Sequence, residues 1–400
     1  MNPLVTSPAR RAPAMLPAIG RAAGFSIVEL MVSVVVGLLA IMFATRLIVN
    51  AEQNKSVSLG GSDQMQNGML ALFSINNDAA QAGWGVNDDL VVGCDTVFSD
   101  TDDYELAQIT RGGLSVSPLA AVVIANSAGS DQVSLYSGSA LSGVGSVRVR
   151  SAYAGGNSID IDTPAPFGFL KDDVIVVAPE PRDGNKCALA QLSASPLASV
   201  LSFGAGSTAR FNAGTLGSTY GAGKARVYNL GPARLLSFHT WSVQNGVLLM
   251  RATNLAGAGA APVSVVDNIV ALKAQYGLDT RVGLAFDPSA GLQVTQWSNT
   301  MIDADGDGVA AGAGDFERVA AVRIAVVARS KNAEKADPVT GLCSATTVAP
   351  TMFASRAPAT VAAVPVSVAL TVTGDATDWK CYRYRVFETI VPIRNAGWRP

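Results

Sequence analysis

An α+β protein, with one long N-terminal helix packed on a large β-rich head, is the fold class this sequence predicts, and three observations predict it. A nearly unbroken apolar run occupies Phe25 to Thr45. A more polar stretch over 50–82 continues it with Met65, Met69, Leu72, Phe73, Ile75 and Ala79 at roughly helical spacing. Beyond residue 82 the chain breaks into short alternating or wholly apolar runs separated by Gly, Ala and Ser, which reads as strands and loops. Four segments follow: a basic leader (1–24), the membrane half of the helix (25–49), its amphipathic half (50–82), and the head (83–400), as one elaborated unit or two subdomains.

The leader carries Arg10, Arg11 and Arg21, no acid, and four prolines that oppose a long helix. As a helix, the apolar run after it would extend about 31 Å, against a hydrocarbon core of ~30 Å. It is longer than the apolar part of a secretory signal, about 7–15 residues, and no A-x-A-like cleavage site follows closely. Three arginines before the run, against Arg46 and Lys55 after it, favour a cytoplasmic N-terminus and a head on the periplasmic side. Gly60 and Gly61 predict a weak or kinked point in the second half. A continuous helix from Phe25 to Ala82 would be near 85 Å long.

Glu29 interrupts the apolar run four residues after Phe25. An unpaired carboxylate at the bilayer centre costs at least ~2–3 kcal/mol. Two placements relieve it: the interface beside a helix N-terminus, which favours negative charge, or a cationic group on a neighbouring subunit.

Gly24-Phe25-Ser26-Ile27-Val28-Glu29-Leu30, after a basic leader and before an apolar helix, resembles the type III signal of type IV pilins. The resemblance implies that a prepilin peptidase cuts after Gly24, that Phe25 becomes the N-methylated first residue, and that Glu29 pairs with the amino terminus of an adjacent subunit. Cleavage bares a positive amine within the bilayer, and a carboxylate at matching depth neutralises it. Four further segments, NNDAAQAGWG, DNIVALKAQYGLDT, ERVAAVRIAVVARS and YRYRVFETIVPIRN, are similar to recurrent blocks of PilW-type minor pilins. That resemblance implies a pilin-like fold and a structural, non-enzymatic subunit for type IV pilus assembly, priming the filament or standing at its tip. The implied location is the inner membrane, single-pass, and then the pilus. The implied partners are the prepilin peptidase, other minor and major pilins, and a tip adhesin. A minor pseudopilin of type II secretion shares the same signal and assembly physics. A third reading, from a different class, is an adhesin or DNA-binding head delivered by the helix.

In the head, strands are expected at Val122–Ala125, Gln132–Ser137, Ser146–Tyr153, Val174–Ala178, Ile269–Leu278, Val319–Arg329 and Tyr382–Ile393. Leu235–Val243 and Val247–Thr253 flank Asn245-Gly246, a strong hairpin signal. Stretches rich in Ala, Gly and Ser near 138–158, 203–224 and 255–262 read as loops or insertions.

Four cysteines with no C-x-x-C spacing suit disulfides in an oxidising compartment, and permit three pairings. Pairing of chain neighbours, Cys94 with Cys187 and Cys343 with Cys381, is expected; the second is similar to the C-terminal disulfide loop of pilin heads. Asp303, Asp305 and Asp307 alternate, with Gly308 at the sixth place from Asp303, like the front of an EF-hand Ca²⁺ loop. Position twelve is Gly314 where a glutamate should stand, with Asp315 and Glu317 out of register. A candidate Ca²⁺ site and a solvated Asp/Gly turn both stand, the turn being favoured.

With 15% charged and 49% hydrophobic residues, disorder is disfavoured. The formal net charge of -2 disfavours broad nucleic-acid binding, despite a basic C-terminal end with Tyr382, Tyr384 and Trp398. Residues 85–110 hold seven acids and no Lys or Arg; they solvate a surface or align neighbouring subunits. One histidine, His239, leaves little room for His-built metal sites or Ser/His/Asp catalysis. There is no G-x-S-x-G, H-E-x-x-H or P-loop. The expectation is no enzyme and no certain cofactor.

Overall fold

The computed structural model describes residues 26–139, 145–164, 166–182, 184–204 and 209–397. The leader, Gly24, Phe25, Trp398 and Arg399 lie outside the described residues. The chain divides into two compact units, one ending at Ser58 and the other beginning at Leu59. Helix α1 runs Ile27–Gln81.

In the first unit, Ser26 starts the helix: its carbonyl accepts from the Leu30 N–H at 3.0 Å and its hydroxyl accepts from the Val28 N–H at 3.3 Å. Ile27–Val49 is long and apolar enough to cross a membrane, about 35 Å by helical rise. Its apolar side chains are exposed on every side of the helix, as suits a segment whose solvent is lipid. The hydroxyls within it are satisfied by their own backbone, Ser33 on Leu30 O at 2.9 Å and Thr45 on Ile41 O at 2.5 Å.

The second unit contains the rest of α1 and the head. The helix continues through Gly60 and Gly61 without interruption. A four-stranded antiparallel sheet orders Gln296–Ser298, Ile269–Leu278, Val319–Arg329 and Tyr384–Pro392. Its two central strands are almost wholly buried, because one face packs on α1 and the other on segments between 349 and 386. That is why they read as mainly apolar runs, interrupted by the buried Lys273, Gln275 and Arg323. A five-stranded antiparallel sheet orders Val263–Asp267, Val247–Ala252, Ser237–Gln244, Gln132–Ser137 and Val122–Ala125. Its hairpin turn is Asn245-Gly246, with φ of 49° and 78°, the double positive φ of a type I′ turn. A six-stranded sheet orders Pro118–Leu119, Cys94–Val97, Cys187–Gln191, Asp173–Pro179, Ala225–Pro232 and Ser146–Arg148. Alternate residues of Asp173–Pro179 serve different cores: Val174 and Val176 meet Tyr136 and Phe238 of the five-stranded sheet, whereas Ile175 and Val177 face Val227, Leu201 and Phe203.

The α+β class and the order of long helix then β-rich head are as the sequence implies. Ser146–Tyr153 is shorter than expected, ending at Arg148, with Val149 and Tyr153 making only isolated bridges. Ala225–Pro232 is a strand absent from the sequence expectation; it takes in Gly231-Pro232 with a register shift between Asn229 and Gly231.

The helix stripe holds in part: Ile75 and Ala79 are buried and Leu72 packs against the same core, but the rest of the buried face lies elsewhere. Among the described residues, the buried positions of α1 in this unit are Gly60, Gln64, Gly68, Ala71, Ile75 and Ala79, while Met69 and Phe73 are exposed at 57% and 69%. The helix approaches the sheet on its small residues. A Cβ at Gly68 would overlap the Phe387 ring, and Gln64 Nε2 donates to Ala328 O and Arg383 O, both at 2.9 Å. Hydrophobicity marked Met69 and Phe73, whereas close packing brought in Gly60, Gly68 and Ala71 beside Ile75 and Ala79.

Candidate functional site

Glu29 lies in the first turn of α1 and is exposed. Ser26 and Glu29 stand at the spacing of a capping box, so the carboxylate sits where the helix macrodipole favours it. Gly24 and Phe25, the other residues of the expected signal, are outside the described residues.

Where α1 ends on the head, the chain's one histidine joins it to the five-stranded sheet. His239 Nδ1 lies 2.8 Å from Asp78 Oδ2, and Trp241 donates its indole N–H to the same oxygen at 2.8 Å. His239 Nε2 is 2.8 Å from Asn254 Oδ1 and 3.2 Å from Ser237 Oγ. Strand alternation puts Ser237, His239 and Trp241 on one face, and α1 brings Asp78 to it. Burial opposes protonation of the imidazole, but the hydrogen bond and charge of Asp78, with Asn254, outweigh it and raise the pKa above the ordinary 6.5. Ser237, His239 and Asp78 follow one another in the order of a hydroxyl–imidazole–carboxylate relay. The nitrogen facing the hydroxyl, however, is closer to the Asn254 amide oxygen, and the ring is 7% exposed. Acceptors on both nitrogens favour the doubly protonated ring. The sequence offers His239 no companion for a metal site or a triad; its partner Asp78 carries no signal there beyond being a polar residue at the end of an amphipathic stretch.

The acidic loop also needs correction. The carboxylates that come within 4.8 Å of one another are Asp303, Asp305 and Asp315; Asp307 is not among them and instead accepts from the Val309 N–H at 2.7 Å. Asp315 arrives from the short helix α2, Ala313–Phe316, so folding returns a residue that is out of register along the chain. Its carboxyl is wholly buried and accepts from the N–H groups of Ala304, Asp305 and Gly312. Burial pushes its pKa above the usual range against those three hydrogen bonds. Asp303 likewise accepts from Gly306 and Gly308. Three carboxylates suit a hard cation such as Ca²⁺ in atom type. Their oxygens, however, already close the loop on its own backbone.

Cys94 is joined to Cys187 and Cys343 to Cys381. The first bond links the paired parallel strands Cys94–Val97 and Cys187–Gln191; the second ties the segment before Thr351 to the short 3₁₀ turn Trp379–Cys381. The acids of 85–110 are largely spent inside the head: Asp95 pairs with Lys186 at 2.8 Å, Asp100 and Asp102 with Arg210 at 2.6 and 3.3 Å. They form internal ties more than an open acidic face.

Among solved structures, a type IV-like pilin from Thermus thermophilus aligns over 84% of this chain and 96% of its own, at 11% identity and a TM-score of 0.28. At that score the likeness is loose, and the α+β description rests on the elements themselves. No curated protein matches the chain. A family model, Type IV Pilus-assembly protein W (PilW), matches residues 240–395, less than half of the chain. The match takes in the whole four-stranded sheet on which α1 packs and three of the four PilW-like blocks; NNDAAQAGWG lies outside it. It supports a structural role in a type IV pilus. The family that this sequence matches, across that part of its head, is the type IV pilus-assembly protein W family.

Proposed function

We propose that the chain is a minor pilin, made as a single-pass inner-membrane precursor with its head in the periplasm, cut by a prepilin peptidase after Gly24 and assembled through α1. The observation that carries this reading is a carboxylate, Glu29, in the first turn of an exposed apolar helix directly after Gly24-Phe25, on a chain whose head matches PilW. Cleavage leaves a positive amine on Phe25, which is N-methylated. Glu29 of one subunit neutralises the amine of the next, and apolar contacts between helices replace those with lipid. Other minor and major pilins are the partners, and the complex primes the filament or caps its tip, where it presents an adhesin. The role is structural, without catalysis.

Mass spectrometry of the membrane-fraction protein tests processing: the mature chain is expected to begin at methylated Phe25, and a substituted Gly24 to leave the leader attached. Glu29→Ala is expected to be processed normally but to enter sheared pili at a fraction of the wild-type amount. An unprocessed chain in cells with an active peptidase, or full incorporation of Glu29→Ala, would overturn the reading.

A further inference from the structure

The head carries a groove that the assembly role does not use. Two depressions, of about 400 and 360 Å³, adjoin across Thr371 and Val372, which line both. Each falls in the size range of small-molecule sites, about 300–1,000 Å³. Trp379, Thr377 and Asp378 line the first; Gln244 and Asn245 of the type I′ turn line the second.

The walls are held rigid. Arg329, at the end of its strand, pairs with Asp375 at 2.6 Å and lies 4.3 Å from the Tyr382 ring centroid. Tyr382 donates its hydroxyl to Asp375 at 3.0 Å, and the Thr377 N–H donates to the same carboxylate at 2.9 Å. Those bonds, the Thr377 N–H foremost, hold the Asp375 carboxyl down at about 2, so the Arg329–Asp375 pair stays charged and mutually cancelled at any ordinary pH. Asp378 caps the 3₁₀ turn through the Lys380 N–H at 2.9 Å, and the Cys343–Cys381 bond anchors its far end. Tyr384 meets the Trp379 ring at 6.5 Å and fixes its orientation.

The chemistry of the lining is mixed in a particular way. The half-exposed Trp379 offers an apolar ring and, among the described residues, an indole N–H with no acceptor. Val372 adds methyl groups beside it. Thr371, Thr377, Gln244 and Asn245 are exposed and make no side-chain hydrogen bond to described residues. A pyranose ring needs these same features: an apolar C–H face to lie against an aromatic, and a rim of hydroxyls to meet neutral donors and acceptors. Among the described residues, Arg329 is the one cation lining the two depressions, and Asp375 neutralises it in place; Lys380 lies outside that lining, with its Nζ 5.8 Å from the Trp379 ring centroid.

We propose that this groove binds a neutral saccharide, with Trp379 as the stacking platform and Thr377, Asp378 and the Gln244–Asn245 turn as hydroxyl partners. The site is a property of the head and stands whether or not the chain enters a pilus, so its failure and the failure of the assembly reading are separately visible.

The test uses the full-length protein in a non-glycosidic detergent and saturation-transfer difference NMR. The probes are lactose, maltose and N,N′-diacetylchitobiose, with sialyllactose and a single-stranded thymidine oligonucleotide as charged counterparts. At least one neutral disaccharide is expected to receive saturation at its ring C–H protons. Trp379→Ala is expected to weaken binding about tenfold or more, and Thr377→Val about threefold. Thr377 is exposed and outside any strand, so its variant keeps the test decisive if Trp379→Ala misfolds. Absence of transfer to every neutral probe, transfer to the charged probes alone, or wild-type binding in Thr377→Val would overturn the proposal.

Discussion

At Gly68 the missing side chain is what lets α1 lie against Phe387. A mid-helix glycine ordinarily costs roughly 0.5–1 kcal/mol relative to alanine, and the contact with the sheet offsets that cost. Gly61, two turns earlier, has open space where a Cβ would go. The same substitution should therefore have opposite signs at the two positions. Gly61→Ala is expected to stabilise by roughly 0.5–1 kcal/mol. Gly68→Ala should destabilise by about 1–3 kcal/mol through overpacking, and adding Phe387→Ala should recover part of the loss, since the two residues touch. Thermal denaturation of the full-length protein in detergent reads all three, and shifts of equal sign at Gly61 and Gly68 would remove the packing argument. Residue type was legible at these positions, but its meaning was not: a glycine pair announced a bend, while the lone Gly68 drew no notice.

At the scale of elements, the join between the end of α1 and the strand Ser237–Gln244 depends on a proton. His239 has a raised pKa in the folded head. Its contribution is therefore fully present below the unfolded value of about 6.5 and fades as pH rises through the folded value. Stability should fall from slightly acid to alkaline pH by an amount that Asp78→Asn reduces, because the imidazolium then loses its counter-charge. A charge-assisted hydrogen bond of this kind contributes about 1.5–3 kcal/mol. Melting temperatures of wild type and Asp78→Asn across that range check it, and identical pH slopes would show that the proton is not involved. Strand positions were easier to read than strand partners. Ile269–Leu278 and Val319–Arg329 match the sequence expectation residue for residue, because burial on both faces leaves long stretches rich in apolar residues. Short strands such as Gln296–Ser298 or Thr351–Met352 carry too few residues for any period to show.

For the whole molecule, the disulfides set how much of the head's order survives reduction. Cys94–Cys187 spans 93 positions and Cys343–Cys381 spans 38. Closing loops of that length removes enough chain entropy from the unfolded state for each bond to be worth about 2–5 kcal/mol. Cys94→Ser with Cys187→Ser should lower denaturant stability by that amount, read by chemical denaturation. A change under ~1 kcal/mol would mean that the parallel strand pair holds without its covalent tie. The PilW match and the helix-bearing sheet coincide over 240–395. The part of the head with a family signature thus includes the four-stranded sheet on which the second half of α1 packs.

Features set by contiguous residues were decided in the sequence itself. A span long enough for a bilayer, a carboxylate one turn into it, the Asn245-Gly246 hairpin and the long buried strands each depend only on neighbours along the chain. Features that need distant residues to meet were decided by the fold. Asp78 reaches His239 across 161 positions, Asp315 displaces Asp307 in the acidic cluster, and α1 turns its glycines and alanines, not its Met69 and Phe73, toward the sheet. The physical reason is the same in each case. Local spacing specifies which backbone conformation is cheap, whereas the choice of facing side chains is made by shape and charge that exist only once the chain has closed on itself.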